Sequence, residues 1–187
     1  MKHSLVRDTI VQTASRLFYE QGYNLTGINE IIREAGIAKA TLYSHFRSKE
    51  DICIAYLKFR NETFIKDIEE YCRKKPAGKE QVLGVFGFLE EFYDDEGFNG
   101  CWCMNTVSEL PRDNGKIREE IQFQKNAFLA LIEKLIQKNF SDRKGETISI
   151  LARHIYLLYE GAISESHLHQ KSWPIQSAKE LAKQILG

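Results

Sequence analysis

The stretch "AGIAKATLYSHFRSKEDI", Ala35 to Ile52, holds between Ala38 and Lys49 three basic residues, two aromatics, a histidine and no acid. It does so in a chain of 187 residues whose formal net charge is zero. Gly36 marks a tight turn. Leu42 and Phe46 stand i, i+4, so a short helix from about Lys39 to His45 buries those two and turns its polar side chains outward. Local charge of this kind positions a helix on a polyanion while the whole molecule stays neutral.

Upstream, Val6, Ile10, Ala14, Leu17 and Phe18 share one helical face, and "EQGY" closes that helix with Gly22 at C′. Thr26 is positioned to cap a second helix whose Ile28, Ile31, Ile32 and Ala35 recur at helical spacing until Gly36 ends it. Downstream, Ser48 with Asp51 has the pattern of a capping box, Asp standing in for Glu, and opens a long helix over 48–74. Two short helices joined by "EAGIAK" and braced by an earlier one outline a helix-turn-helix. A second helix that enters the major groove needs short side chains near its N-terminus and donors beside it for phosphates. Lys39, Ala40 and Thr41 meet the first need; Tyr43, Ser44, His45 and Lys49 meet the second, while Arg47 reads as a solvated charge.

Hydrophobic residues make up 43% and charged residues 28%, a balance that supports a folded core rather than disorder. No apolar run approaches the ~20 residues of a membrane span, and Asp8 and Gln12 interrupt the place of a secretory signal. Four cysteines without framework spacing suggest free thiols in a reducing compartment, so a cytoplasmic protein is expected. Residues 1–50 hold seven Lys/Arg against five Asp/Glu, and the remainder nineteen against twenty-one, a small positive bias toward the first segment. Further helices are expected at 79–95, 103–110, 114–139, 146–169 and 175–186, with breaks in "DDEGFNGCWC", "SDRKGE" and "KSWP". The expected fold is all-α with roughly nine helices: a helix-turn-helix domain over 1–47, then a helical domain over 48–187 joined to it by the long helix 48–74.

"TGINEIIREAGIAKATLYSHFRSKEDI" resembles the DNA-binding segment of the TetR family of transcriptional repressors, closely over residues 7–60. Beyond it, "GCWCMNTVSELP" resembles the "GC…N…E" segment of some members. The resemblance implies a dimeric repressor of a palindromic double-stranded operator, released by a small-molecule effector. By position it implies that Thr26 caps the second helix and meets a phosphate. Lys39, Ala40 and Thr41 then face base edges, and Tyr43, His45 and Lys49 touch phosphates. Ala38 departs from the family, which usually has a capping Ser or Thr there; the missing cap costs about 1 kcal/mol of local helix stability.

Aromatics thicken after residue 80, and ligand clefts are commonly apolar with a few convergent polar groups. With the resemblance, this implies an effector pocket among Phe86, Phe92, Trp102, Asn105, Glu109, Gln122, Phe123, Asn126, Tyr156 and Tyr159, with Glu160 a further polar candidate. The helix at 146–169 is apolar on more than one side, and 175–186 carries the stripe Ile175, Ala178, Leu181, Ala182, Ile185. These two helices are expected to form the homodimer interface, as the resemblance also implies.

"GCWC" raises a thiol-based alternative, a redox or electrophile sensor using Cys101 and Cys103. No Lys, Arg or His lies within five residues of the pair, which favours buried, inert thiols. In "SESHLHQ", Glu165 and His169 share a helix face but His167 points elsewhere, short of a transition-metal set. No nucleophile elbow, phosphate-cradling glycine loop or H-E-x-x-H is present, so neither an enzyme nor a cofactor is expected. A helical small-molecule-binding module without DNA binding remains the third reading.

Overall fold

The computed structural model describes residues 2–143 and 145–187, with side chains from Leu5; Lys144 in the "SDRKGE" break lies outside the described residues. Among them the fold is all-α: α1 Lys2–Gln21, α2 Ile28–Glu34, α3 Lys39–His45, α4 Lys49–Arg73, α5 Lys79–Asp94, α6 Trp102–Ser108, α7 Gly115–Asn139, α8 Glu146–His169 and α9 Trp173–Leu186. Two compact units share these helices: Met1–Glu62 with Trp102–Gln124, and Thr63–Cys101 with Lys125–Gly187.

In the first unit α1 presents Ile10, Ala14, Leu17 and Phe18 to a core that also takes in Ile31, Leu42, Phe46, Ile52, Tyr56 and Leu57. Gly22, at φ +93°, ends α1, and Gly36, at φ +64°, makes the turn between α2 and α3. Ser48 caps α4, and the return bond from Asp51 goes to the residue before the cap. Ser48 Oγ accepts the Asp51 N–H at 3.1 Å, and Asp51 Oδ2 accepts the Arg47 N–H at 3.2 Å. α6 packs on α1, and Arg60 lies between the rings of Tyr19 and Trp102 at 4.4 and 5.2 Å.

In the second unit α5 is buried on nearly every side, from Gln81 to Gly87. Its glycines admit α4 closely: a Cβ on Gly84 would lie 3.1 Å from Cys72 Sγ, and one on Gly87 2.9 Å from the Tyr71 hydroxyl. The buried Gln81 amide is satisfied, donating to Lys75 O at 3.1 Å and accepting from Asn139 Nδ2 at 3.1 Å. α9 lies against α5 and α8. It starts at Trp173, two residues before the expected start, because Pro174 sits in the first turn, where its missing N–H costs nothing.

Candidate nucleic-acid interface and ligand-site residues

The α3 helix projects its polar face. Leu42 is 0% and Phe46 4% exposed, anchoring it inward, whereas Tyr43 is 44% exposed and Lys39, Ala40 and Ser44 stand in solvent. Thr41 and His45 are half-buried and Arg47 is exposed. Ala38 is the N-cap, with no side-chain hydrogen bond to the helix.

Thr26 does not take the capping role expected of it. The N-cap of α2 is Gly27, and Thr26 is fully buried. Its hydroxyl donates to the carbonyls of Gly22 at 2.8 Å and Leu17 at 3.2 Å. The threonine thus closes the end of α1, its one O–H shared between two carbonyls there.

Lys49 is turned toward the same corner. Its ammonium lies 4.5 Å from the Tyr23 ring centroid and donates to Asn24 O at 3.4 Å. Partial burial lowers its pKa, an effect countered by Cys53 and Glu109.

Glu109, expected among the effector-pocket residues, reaches this corner. Its Oε1 accepts the Tyr23 N–H at 3.2 Å and its Oε2 the Asn24 N–H at 2.6 Å, while Asn24 Nδ2 donates to Glu109 O at 2.9 Å. A Cβ on Gly22 would sit 2.4 Å from Glu109 Oε1, so glycine is required for space as well as for φ. A second carboxylate ties the same segment to the start of α4: Glu50 accepts from Asn114 Nδ2 at 3.3 Å and from Lys116 Nζ at 3.1 Å. Sequence spacing holds no signal for contacts that span 86 and 64 positions.

Of the ten residues expected to line an effector pocket, Trp102, Asn105, Glu109, Gln122 and Phe123 lie in the first unit and Phe86, Phe92, Asn126, Tyr156 and Tyr159 in the second. Gln122, Phe123 and Asn126 are exposed, Phe123 to 68%. The buried stripe of α7 runs through Ile117, Ile121, Gln124, Phe128, Leu131 and Ile132, and Phe123 falls off that period. Trp102 stacks with Arg60 in the first unit, where half-buried Asn105 accepts the Ser108 hydroxyl through its carbonyl. In the second unit Phe92 meets Phe98 at 5.4 Å. Phe86 and Tyr156 join a ring cluster: Tyr159 lies 6.3 Å from Phe86, 4.7 Å from Phe128 and 6.4 Å from Phe64, and Tyr156 6.0 Å from Phe128.

The two cysteines of "GCWC" have different surroundings. Cys103 Sγ donates to Gln124 Oε1 at 3.5 Å. Cys101 Sγ accepts from Lys125 Nζ at 3.2 Å, and that ammonium sits 2.6 Å from both oxygens of Glu160. The cation that sequence proximity failed to supply comes from one helix over, 24 residues on. Burial raises the Glu160 carboxyl, and Lys125 partly offsets the rise. Glu165 and His169 pair at 3.2 Å on one face of α8, while His167 Nε2 lies 3.0 Å from Asn99 Oδ1. Among the described residues no group of three His, Cys, Asp or Glu could hold a metal ion.

Residues 10–56 match the family described as bacterial regulatory proteins, tetR family. The chain is 28% identical over 186 residues to the HTH-type transcriptional regulator LmrA of Bacillus subtilis (strain 168), covering 94% of this chain and 93% of that protein. It is 26% identical over 127 residues to the fatty acid metabolism regulator protein of the same organism, covering 68% of this chain and 64% of that protein, slightly less than two-thirds of it. Its fold is similar to that of SCO4454, a TetR-family transcriptional regulator from Streptomyces coelicolor. The TM-score is 0.86 at 26% identity over 97% of this chain and 88% of that one. The reduced form of E. coli NemR shares the fold with TM-score 0.87 at 19% identity, over 97% and 98%. The family match lies on the α1–α4 head, so residues 10–56 form a DNA-binding domain of the tetR family, and the likeness in sequence and fold to TetR-family transcriptional regulators runs through almost the whole length.

Proposed function

We propose that this chain is a homodimeric repressor that holds a palindromic operator and leaves it when a mostly apolar small molecule binds. The observation that carries this reading is the outward polar face of α3 on a buried Leu42–Phe46 anchor. Lys39, Ala40 and Thr41 meet base edges, and Tyr43 and His45 meet phosphates. Lys49 contributes chiefly by holding the Tyr23–Asn24 turn, with ammonium hydrogens left over for a phosphate. The functional division is a DNA-binding head over 1–47 and an effector and dimer body over 48–187, linked by the helix 48–74. The compartment is the cytoplasm, where the operator is; among the described residues no helix is long and apolar enough to cross a membrane. No enzymatic activity is assigned.

A second copy of the chain is the proposed partner of the outer faces of α8 and α9. Ile150, Leu157 and Leu168 are 42%, 64% and 71% exposed, and Trp173 and Leu181 51% and 46%. Gly161 falls on the same α8 face, and a Cβ there would meet nothing within 4 Å in the chain. Apolar residues left open at helical spacing, around a glycine that permits close approach, fit a four-helix interface. Two heads must then sit about 34–36 Å apart to enter successive major grooves. A ligand that prefers another spacing lowers DNA affinity by its differential binding, commonly ~1–3 kcal/mol.

Selection of bound duplexes from a random pool tests the main reading. A palindrome is expected; enrichment of no duplex, or of an asymmetric one, refutes it. On the selected site Lys39→Ala weakens binding, and a lysine that meets a phosphate, when removed, reduces the salt slope by about one unit. The module without DNA binding predicts no retention on heparin at low salt.

A thiol-based regulator is the second reading, favoured by the 3.2 Å contact of Lys125 with Cys101. On it, modification of Cys101, rather than reversible binding, releases the operator.

A further inference from the structure

We propose that Arg7 of α1 is a DNA-contact residue, which together with Arg47 holds one backbone phosphodiester in a cleft at the C-terminal end of α3. This rests on the reading of α3 as the helix that enters the groove, and it adds a residue from outside the helix-turn-helix stretch. The cleft lies within the first unit. It has a volume of about 360 Å³ and is lined by Arg7, His45, Phe46, Arg47, Asp51 and Ile54.

A ring fixes the Arg7 guanidinium. Its central carbon lies 5.1 Å from the centroid of Phe46, and Phe46, only 4% exposed, is one of the two anchors that seat α3. The negative face of an aromatic ring attracts a cation placed over it. A guanidinium on a ring keeps its N–H edges available, and its planar fork matches two oxygens of a phosphate. The side chain that positions α3 therefore positions this charge as well.

The sign of the cleft depends on the two arginines. The carbonyl end of α3 points here, and Asp51 adds a carboxylate whose Oδ2 accepts the Arg47 N–H at 3.2 Å. Both disfavour an anion, and two guanidiniums outweigh them. Arg16 and Arg33 serve other ends: Arg16 pairs with Glu20 and Glu34 at 3.3 and 3.2 Å, and Arg33 with Glu30 and Glu34 at 3.7 and 3.4 Å. Among the described residues neither Arg7 nor Arg47 joins such an ion pair, and both are exposed. A duplex whose major groove takes α3 lays its backbone past the ends of that helix, which brings a phosphate to this cleft.

The full-length protein is titrated, by fluorescence anisotropy at several salt concentrations, with the duplex recovered from the random pool and with a scrambled duplex of equal length. Arg7→Gln should weaken both by a similar factor, about tenfold, and lower the salt slope by about one unit. Arg7→Lys should keep the slope and lose only about threefold, because it retains the charge without the fork. Arg7→Met, whose apolar stem can still cover Phe46, repeats the charge loss should Arg7→Gln fold poorly. Single neutral methylphosphonate linkages are then moved along the selected duplex. One place in each half-site should weaken the wild type and leave Arg7→Gln unaffected, which identifies the duplex, and not free phosphate, as the occupant. Arg7→Gln and Arg47→Gln combined should cost less than the product of their separate factors.

An unchanged salt slope in both Arg7→Gln and Arg7→Met overturns the proposal, and so does a loss confined to the selected sequence. The absence of any linkage to which Arg7→Gln is indifferent overturns it too. Normal binding by Lys39→Ala, with the Arg7 loss intact, would sink the base contacts read for α3 and leave the phosphate cleft standing.

Discussion

Removing the Glu109 carboxylate should loosen the DNA-binding head while sparing any ligand site. In the folded chain it accepts two backbone N–H groups, Tyr23 at 3.2 Å and Asn24 at 2.6 Å. Hydrogen bonds to a charged group contribute ~1.5–3 kcal/mol each when both partners are withdrawn from water. Asn24 is exposed, so water replaces most of its loss in Glu109→Ala; Tyr23 is half-buried and its N–H is left poorly served. The expected destabilisation is therefore about 2–3 kcal/mol, nearer one bond than two. In a chain of this size that lowers the melting temperature by roughly 4–12 °C. Glu109→Gln keeps one acceptor but turns an NH2 toward the other backbone donor, so about 1–2 kcal/mol is lost. Urea unfolding monitored by tryptophan fluorescence reads the stability, and fluorescence anisotropy with the selected operator reads the head. Gly22→Ala supplies an internal check. Its Cβ would meet Glu109 Oε1 at 2.4 Å, so its cost should shrink in the Glu109→Ala background to the ~1–2 kcal/mol of the left-handed backbone alone. A Glu109→Ala protein within ~0.5 kcal/mol of wild type, with unaltered operator affinity, would refute the reasoning.

Three other outcomes are expected. Ala38→Ser should supply the missing cap of α3 and stabilise the head by about 1 kcal/mol, and Gly27→Ser should add a few tenths at α2; thermal melts read both, and room exists at Gly27, where a Cβ meets nothing within 4 Å. Leu157→Glu and Gly161→Arg should each give a folded monomer by sedimentation, because neither position is packed within the chain; persistence of the dimer would remove α8 from the interface. Glu160 sets a pH dependence: its pKa is raised in the folded chain, so the folded state holds that proton longer than the unfolded one. Its contribution to stability accordingly falls as pH rises from about the ordinary carboxyl value of 4.5 through the raised value, and Glu160→Gln should flatten that part of the profile.

The sequence alone determined the helices and the polarity of the head. Local rules suffice there: Gly22 and Gly36 at positive φ, Ser48 with Asp51 at the start of α4, and Leu42 with Phe46 facing in are all satisfied within a few residues of chain. Where two local rules competed the outcome was open, as with Thr26, whose hydroxyl took the carbonyls of Gly22 and Leu17 instead of capping α2. Apolar composition on α7 could not separate buried Phe128 from exposed Phe123, since both are equally hydrophobic and only the packed face decides.

Tertiary structure alone decided which charges meet. Glu109 reached the Tyr23–Asn24 turn and Lys125 reached Cys101 across separations at which chain proximity carries no information. Such contacts depend on where whole helices dock, and docking is set by the summed burial of many side chains, not by the pair itself. The physical reason is range. Backbone hydrogen bonds and caps act over three or four residues, whereas a carboxylate or an ammonium finds its partner only after the core has fixed both ends.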